Sequence, residues 1–139
     1  MSRRFRRRRG FTLMEVLLVL AILVILGSLV GVGIMKMQKN ANINAARAQV
    51  GMLESVVKAY AIDVGTCPTT QQGLTALAQA PSDLKNPAKW QGPYLDKQIG
   101  TDAWGNEYQY EQTGPDQFRI WSMGPDGASG SEDDIANVQ

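Results

Sequence analysis

The 139-residue chain contains no histidine and a single cysteine, Cys67. Without histidine it lacks the commonest general base and the commonest transition-metal ligand. Serine–histidine and cysteine–histidine catalysis are therefore excluded. One cysteine allows neither an internal disulfide nor a cysteine-rich zinc site. Acid is missing from the first ten residues, which hold six arginines: Arg3, Arg4, Arg6, Arg7, Arg8 and Arg9. Charge of either sign is missing from Val16 to Met35, VLLVLAILVILGSLVGVGIM. The net charge of +1 thus hides an asymmetry, because residues 11–139 carry 8 basic against 13 acidic side chains. The length fits one small domain.

A basic stub can bind nucleic acid or anionic lipid, or orient a membrane segment. The uncharged run behind it decides for the membrane. As a helix its twenty residues span roughly 30 Å, the depth of a bilayer core. Six arginines before the run outweigh Lys36 and Lys39 after it, which places the N-terminus in the cytoplasm and the acidic body outside. No nucleic-acid partner is expected. The alternative is a cleaved secretory signal, although Gly31-Val32-Gly33 is a poor small-x-small site. Glu15 stands at the head of the run, where a carboxylate is costly unless it snorkels to water or meets a cation.

Beyond Met35, Ile43, Ala46, Val50, Leu53, Val57, Tyr60 and Val64 recur at alternating spacings of three and four. That is one apolar stripe on a helix, and it predicts a single helix from about Leu13 to Val64. Glu54 precedes Lys58 by four residues, the favourable order for a helical ion pair. Gly65 suits the C-cap and Pro68 the stop. Thr69-Thr70-Gln71-Gln72 has capping-box spacing and predicts a short helix over 71–79. Residues 81–106 read as loop, anchored by Trp90, Tyr94 and Leu95. Two alternating runs, Glu107–Glu111 and Gln117–Trp121, flank a turn at Thr113-Gly114-Pro115-Asp116. The expected fold is α+β, a long helix packed on a small antiparallel sheet. Cys67 reads as a small packed residue and Trp104-Gly105-Asn106 as a structural turn. Asp126, Glu132, Asp133 and Asp134 crowd the tail among glycines and serines. On composition alone this is either a disordered acidic tail or a loop for a hard cation. It is no EF-hand, since Ala128 and Gly130 occupy the third and fifth positions counted from Asp126. Zinc and copper do not suit it.

Gly10-Phe11-Thr12-Leu13-Met14-Glu15 resembles the class III signal of type IV pilins and pseudopilins. Further segments narrow the likeness: Pro68-Thr69-Thr70-Gln71-Gln72-Gly73-Leu74, Gly92-Pro93-Tyr94-Leu95, Asp102-Ala103-Trp104-Gly105-Asn106 and Ser122-Met123-Gly124-Pro125-Asp126-Gly127. In that order they resemble the major pseudopilins of type II secretion systems. The resemblance implies cleavage between Gly10 and Phe11 by a prepilin peptidase, and N-methylation of Phe11. It implies that Glu15 pairs with a neighbouring subunit's N-terminal amine during assembly. It also implies a calcium site built from the Met123 carbonyl, Asp126, the Ser131 carbonyl, Asp133 and Asp134, leaving Glu132 outside. The chain departs from the family pattern at Val32 and Ala103, where proline is usual, and at Cys67, where an aromatic is usual. It departs again at Ala136-Asn137-Val138, where the pattern is Gly-Asn-Trp.

The implied organisation is a cleaved basic leader (1–10), a transmembrane and assembly helix (11–35), an amphipathic stalk (36–64) and a periplasmic α/β head with the calcium loop (65–139). The implied function is structural, not enzymatic: a homo-oligomeric helical filament at the inner membrane and in the periplasm that drives protein export. Implied partners are the prepilin peptidase, minor pseudopilins at the tip, an inner-membrane platform protein and a cytoplasmic ATPase. Two other readings stay open: a type IV pilin or minor pseudopilin, and a membrane-anchored or released calcium-binding module that never polymerises.

Overall fold

A computed structural model describes residues 10–137, without the side chains of residues 29–32. Residues 1–9 of the expected leader, and Val138 of the departing tail motif, lie outside the described residues. The chain divides into two compact units, one ending at Lys39 and one beginning at Asn40. A single helix, α1 (Leu13–Val64), contributes to both.

The ends of α1 follow from local chemistry. Thr12 caps its start, with its Oγ1 accepting the Glu15 N–H at 3.2 Å and its carbonyl the Val16 N–H at 3.2 Å. These bonds satisfy donors that a first helical turn leaves without partners. At the far end Gly65 takes φ +96° and donates its N–H to the Ala61 carbonyl at 2.9 Å. A left-handed glycine is the usual helix stop. The helix passes through Gly31 and Gly33 unbroken. In the first unit Val16–Leu20 and Ile22–Leu26 are all exposed. Each such side chain is worth roughly 1.5–3 kcal/mol to bury, so this stretch requires lipid or a partner. Length and composition allow α1 to cross a membrane.

The second unit owns the core. Val50, Leu53, Val57 and Tyr60 of α1 join Cys67, Ala76, Leu77, Phe118 and Ile120 in one buried cluster. The stripe read from the sequence is therefore the face that packs on the head, and Ala46 extends it. Glu54 and Lys58 pair at 2.6 Å on the outside. Cys67 is buried, and burial, followed by the nearby Asp116 carboxylate, pushes its thiol pKa up. Trp90 donates its indole N–H to the Ala76 carbonyl at 3.1 Å, and the Tyr94 hydroxyl donates to Asp63 Oδ2 at 2.9 Å. Trp90, Tyr94 and Tyr60 meet edge to face, at 5.8 and 5.6 Å between centroids. These residues pin the long loop to the helix, as expected.

Two expectations are corrected, and one strand is added. The helix predicted over 71–79 is a 3-10 helix at Gly73–Leu77. The capping box does form, since Thr69 and Gln72 exchange side-chain bonds to each other's N–H at 3.2 and 2.9 Å. Gly73 then adopts φ +56°, which an α-helix cannot continue through. The first strand is β1 (Gln109–Gly114), not Glu107–Glu111. Glu107 instead bridges Thr101 and closes a turn. β2 (Gln117–Ser122) pairs antiparallel with β1 from Gln109↔Trp121 to Gly114↔Gln117, with an irregularity around Thr113. A third strand, β3 (Ile135–Ala136), pairs antiparallel with the other side of β2. The acidic tail is thus folded back onto the sheet.

Candidate functional site

Two sites were expected, and the residues of each fall within a single unit. At the head of α1, Gly10, Phe11 and Thr12 precede the helix in non-helical backbone. The space where a Cβ on Gly10 would stand is open, and Phe11 is 82% exposed. A bare peptide bond is thus presented just before the helix. Glu15 is exposed in the first turn. Among the described residues no cation lies within ion-pair distance of its carboxylate. A cut after Gly10 would create an α-amine four residues before Glu15, at the positive end of a helix that already favours negative charge.

The second site is the loop between β2 and β3. Met123 leads into a 3-10 turn at Gly124–Asp126. Gly124 has φ +67°, and a Cβ there would lie 2.4 Å from the Asp133 carbonyl oxygen. Only glycine permits the two ends of the loop to approach so closely. Gly127 and Gly130 are left-handed as well. Asp126 Oδ1 accepts the Ala128 N–H at 3.1 Å. The Ser131 carbonyl accepts the Asp134 N–H at 3.4 Å, and Ser131 Oγ the Asp133 N–H at 3.3 Å. Ser131, Asp133 and Asp134 are therefore drawn into one turn, whereas the Asp126 side chain is engaged locally. Among the described residues no three histidine, cysteine, aspartate or glutamate side chains gather in a group that could hold a metal ion.

Asp134 is the exception to local engagement. Its side chain is 6% exposed. Oδ2 accepts the Gly130 N–H at 2.8 Å and lies 3.7 Å from an Arg119 nitrogen. Oδ1 is buried without a hydrogen-bond partner. A buried, unpartnered carboxylate oxygen is costly and calls for a counter-charge. The donors offered by the loop are all oxygens, two of them backbone carbonyls by expectation. Such a set suits a hard cation and not zinc or copper. On chemistry the residues fit calcium, and on present side-chain positions they do not yet converge.

Sequence reasoning missed what holds this loop at its base. Asp102 is 6% exposed. Its Oδ1 accepts the Trp104 and Asn106 N–H groups at 3.0 and 2.8 Å, and its Oδ2 accepts the Ser122 hydroxyl at 2.6 Å. Ser122 Oγ accepts the Gly124 N–H, and Asn106 Nδ2 donates to the Gly124 carbonyl, both at 3.2 Å. Trp104-Gly105-Asn106 is indeed a turn, and its role is to clamp Gly124. The one available signal was the Asp-x-x-x-Asn spacing of 102 and 106.

Comparison with known proteins follows this geometry. A family profile described as "Type II secretion system (T2SS), protein G" matches residues 33–139. A second, "Prokaryotic N-terminal methylation motif", matches residues 5–31. The type II secretion system core protein G of Aeromonas hydrophila is 41% identical over 136 residues, covering 95% of this chain and 93% of its own. That of Klebsiella pneumoniae is 38% identical over 134 residues, covering 95% of each. The crystal structure of the major pseudopilin from the type 2 secretion system of enterohaemorrhagic Escherichia coli superposes with a TM-score of 0.65 at 33% identity. That likeness covers 74% of this chain and 91% of the other. The family profile covers residues 33–139 and the relatives nearly the whole sequence, and the chain belongs to the type II secretion system protein G family.

Proposed function

We propose that the chain is a structural subunit of the pseudopilus of a type II secretion system, not an enzyme. It is made with its leader in the cytoplasm and its head in the periplasm. A prepilin peptidase cuts between Gly10 and Phe11 and methylates Phe11. The freed subunits stack through their apolar helices into a helical filament, whose growth drives protein export. One observation carries this reading: ten large apolar side chains between Val16 and Leu26 stand exposed within the stretch that matches the methylation motif. Lipid covers them before assembly, and sister helices cover them afterwards.

Glu15 is the residue that selects assembly over storage in lipid. Paired with the amine of a neighbour's Phe11, it neutralises two charges that are each costly in hydrocarbon. We expect Glu15→Ala to leave the protein in the membrane fraction at normal abundance and to abolish filaments sheared from overexpressing cells, as viewed by electron microscopy. Filaments of normal number from the variant would remove the pairing role. The partners of the reading are the peptidase, tip-capping minor pseudopilins, an inner-membrane platform protein and a cytoplasmic ATPase that supplies the work.

Calcium belongs to the same proposal. Met123, Asp126, Ser131, Asp133 and Asp134 would hold it, through the carbonyls of Met123 and Ser131 and the carboxylates of the aspartates. The ion supplies positive charge that lets these carboxylates stand together. The unpartnered, buried oxygen of Asp134 supports this. Chelation should lower the melting temperature of the wild-type chain and leave the Asp126→Ala, Asp133→Ala double variant unmoved. Equal sensitivity of the two proteins would eliminate the site.

A further inference from the structure

Arg119 and Trp121 occupy the outward positions of β2, while Phe118, Ile120 and Ser122 between and beside them are buried. The Arg119 guanidinium lies over the Trp121 ring, 4.8 Å from its centroid. One of its nitrogens is 3.7 Å from Asp134 Oδ2. Trp121 donates its indole N–H to Ser129 Oγ at 3.0 Å. The strand therefore grips the acidic loop at two points, through an arginine and through the aromatic ring beneath it. The ion pair is loose: its separation exceeds hydrogen-bond length, and the Arg119 side chain is 46% exposed. Such pairs exchange partners at little cost. A second carboxylate is close at hand. Glu111 stands directly opposite Arg119 in the β1–β2 register and is exposed, and residues paired in this way share one face of the sheet.

We propose that Arg119 is an internal competitor for the cation of the acidic loop. It neutralises Asp134 while the loop lacks its ion and releases Asp134 when the ion binds, exchanging that partner for Glu111 across the strand and keeping its place on Trp121. The inference rests on the calcium reading and names the residue that sets the affinity of that site. Arg119 lies near Oδ2 while Oδ1 is unpartnered, so a guanidinium on one oxygen weakens the negative charge that the other would offer a divalent cation. Placing the cation beside an arginine is also electrostatically opposed. The loop thus stays tethered to the sheet at low calcium, and a higher calcium concentration is needed to fill it.

Calorimetric calcium titration of the full chain in detergent tests this. Arg119→Gln should bind calcium roughly tenfold more tightly, since one opposing charge is gone. Arg119→Lys, which keeps the charge, should stay near the wild type. Glu111→Gln, which removes the alternative partner, should bind roughly two- to threefold more weakly. In chelator Arg119→Gln should melt below the wild type, and in excess calcium that gap should narrow. Equal or weaker binding by Arg119→Gln, or unchanged binding by Glu111→Gln, overturns the exchange and leaves the calcium site standing. No calcium binding by any of the proteins overturns both.

Discussion

Asp102 shows where reading single residues from sequence stops. Only the spacing to Asn106 separates it in the chain from Asp96 or Asp116, which are exposed, yet it takes three donors in a buried pocket. Two of these donors belong to its own turn, but the third, Ser122, lies on β2 twenty residues on, and spacing within the turn does not encode that. Hydrogen bonds to a charged group are worth more than neutral ones, and each donor left behind is itself penalised. Asp102→Ala should therefore cost about 3 kcal/mol and lower the melting temperature with or without calcium. Asp102→Asn, which can still accept from Trp104 and Asn106, should cost less. An unchanged melting temperature for Asp102→Ala would show that the cluster merely fills space. Glu15, by contrast, stands out at once, because a charge in an apolar run is conspicuous without any structure, whereas Gly10 and Phe11 are singled out only by the family resemblance.

Elements divide in the same way. The bounds of α1 could be read from the sequence, since its stripe and its stop at Gly65 are local signals, while the Thr12 cap emerges with the structure. The 3-10 helix at Gly73–Leu77 was misread because one glycine with positive φ overrode a valid capping box. β3 could not be read at all. It is two residues long and is held by Asn137, whose Oδ1 accepts the Ile120 N–H at 2.8 Å and whose N–H donates to the Ile120 carbonyl at 3.0 Å. Where the elements meet, tyrosines fill the seams. Tyr60, Tyr94, Tyr108 and Tyr110 all have pKa values raised, in each case chiefly by burial. A raised native pKa means that the unfolded chain ionises first. The stability these residues contribute is intact below the ordinary tyrosine value of 10.0 and is lost progressively above it. We expect the midpoint of denaturant unfolding to hold steady up to pH 9 and to fall steeply beyond pH 10 (both roughly, from the ordinary tyrosine range). A flat profile through that range would mean that these hydroxyls reach solvent.

The whole molecule is organised by charge as much as by shape. With its leader the chain is nearly neutral, and residues 11–139 hold 13 acids against 8 bases. Removing the leader therefore creates an acidic subunit with an uncovered apolar helix. Like-charged subunits repel one another, and on the proposed reading a cation in each head loop and one amine for each Glu15 would oppose this. Glu15 is conspicuous in the sequence, whereas the acidic loop shows there only as acidic residues, because the glycine turns and the Asp102 clamp that shape it are tertiary. The central claim is that leader removal converts a membrane precursor into a filament subunit. Its most direct test is the mass of the N-terminal peptide from protein sheared off cells as filaments. The expected peptide begins at Phe11 and carries an N-methyl group; filaments built from chains that still begin ahead of Gly10 would contradict the account.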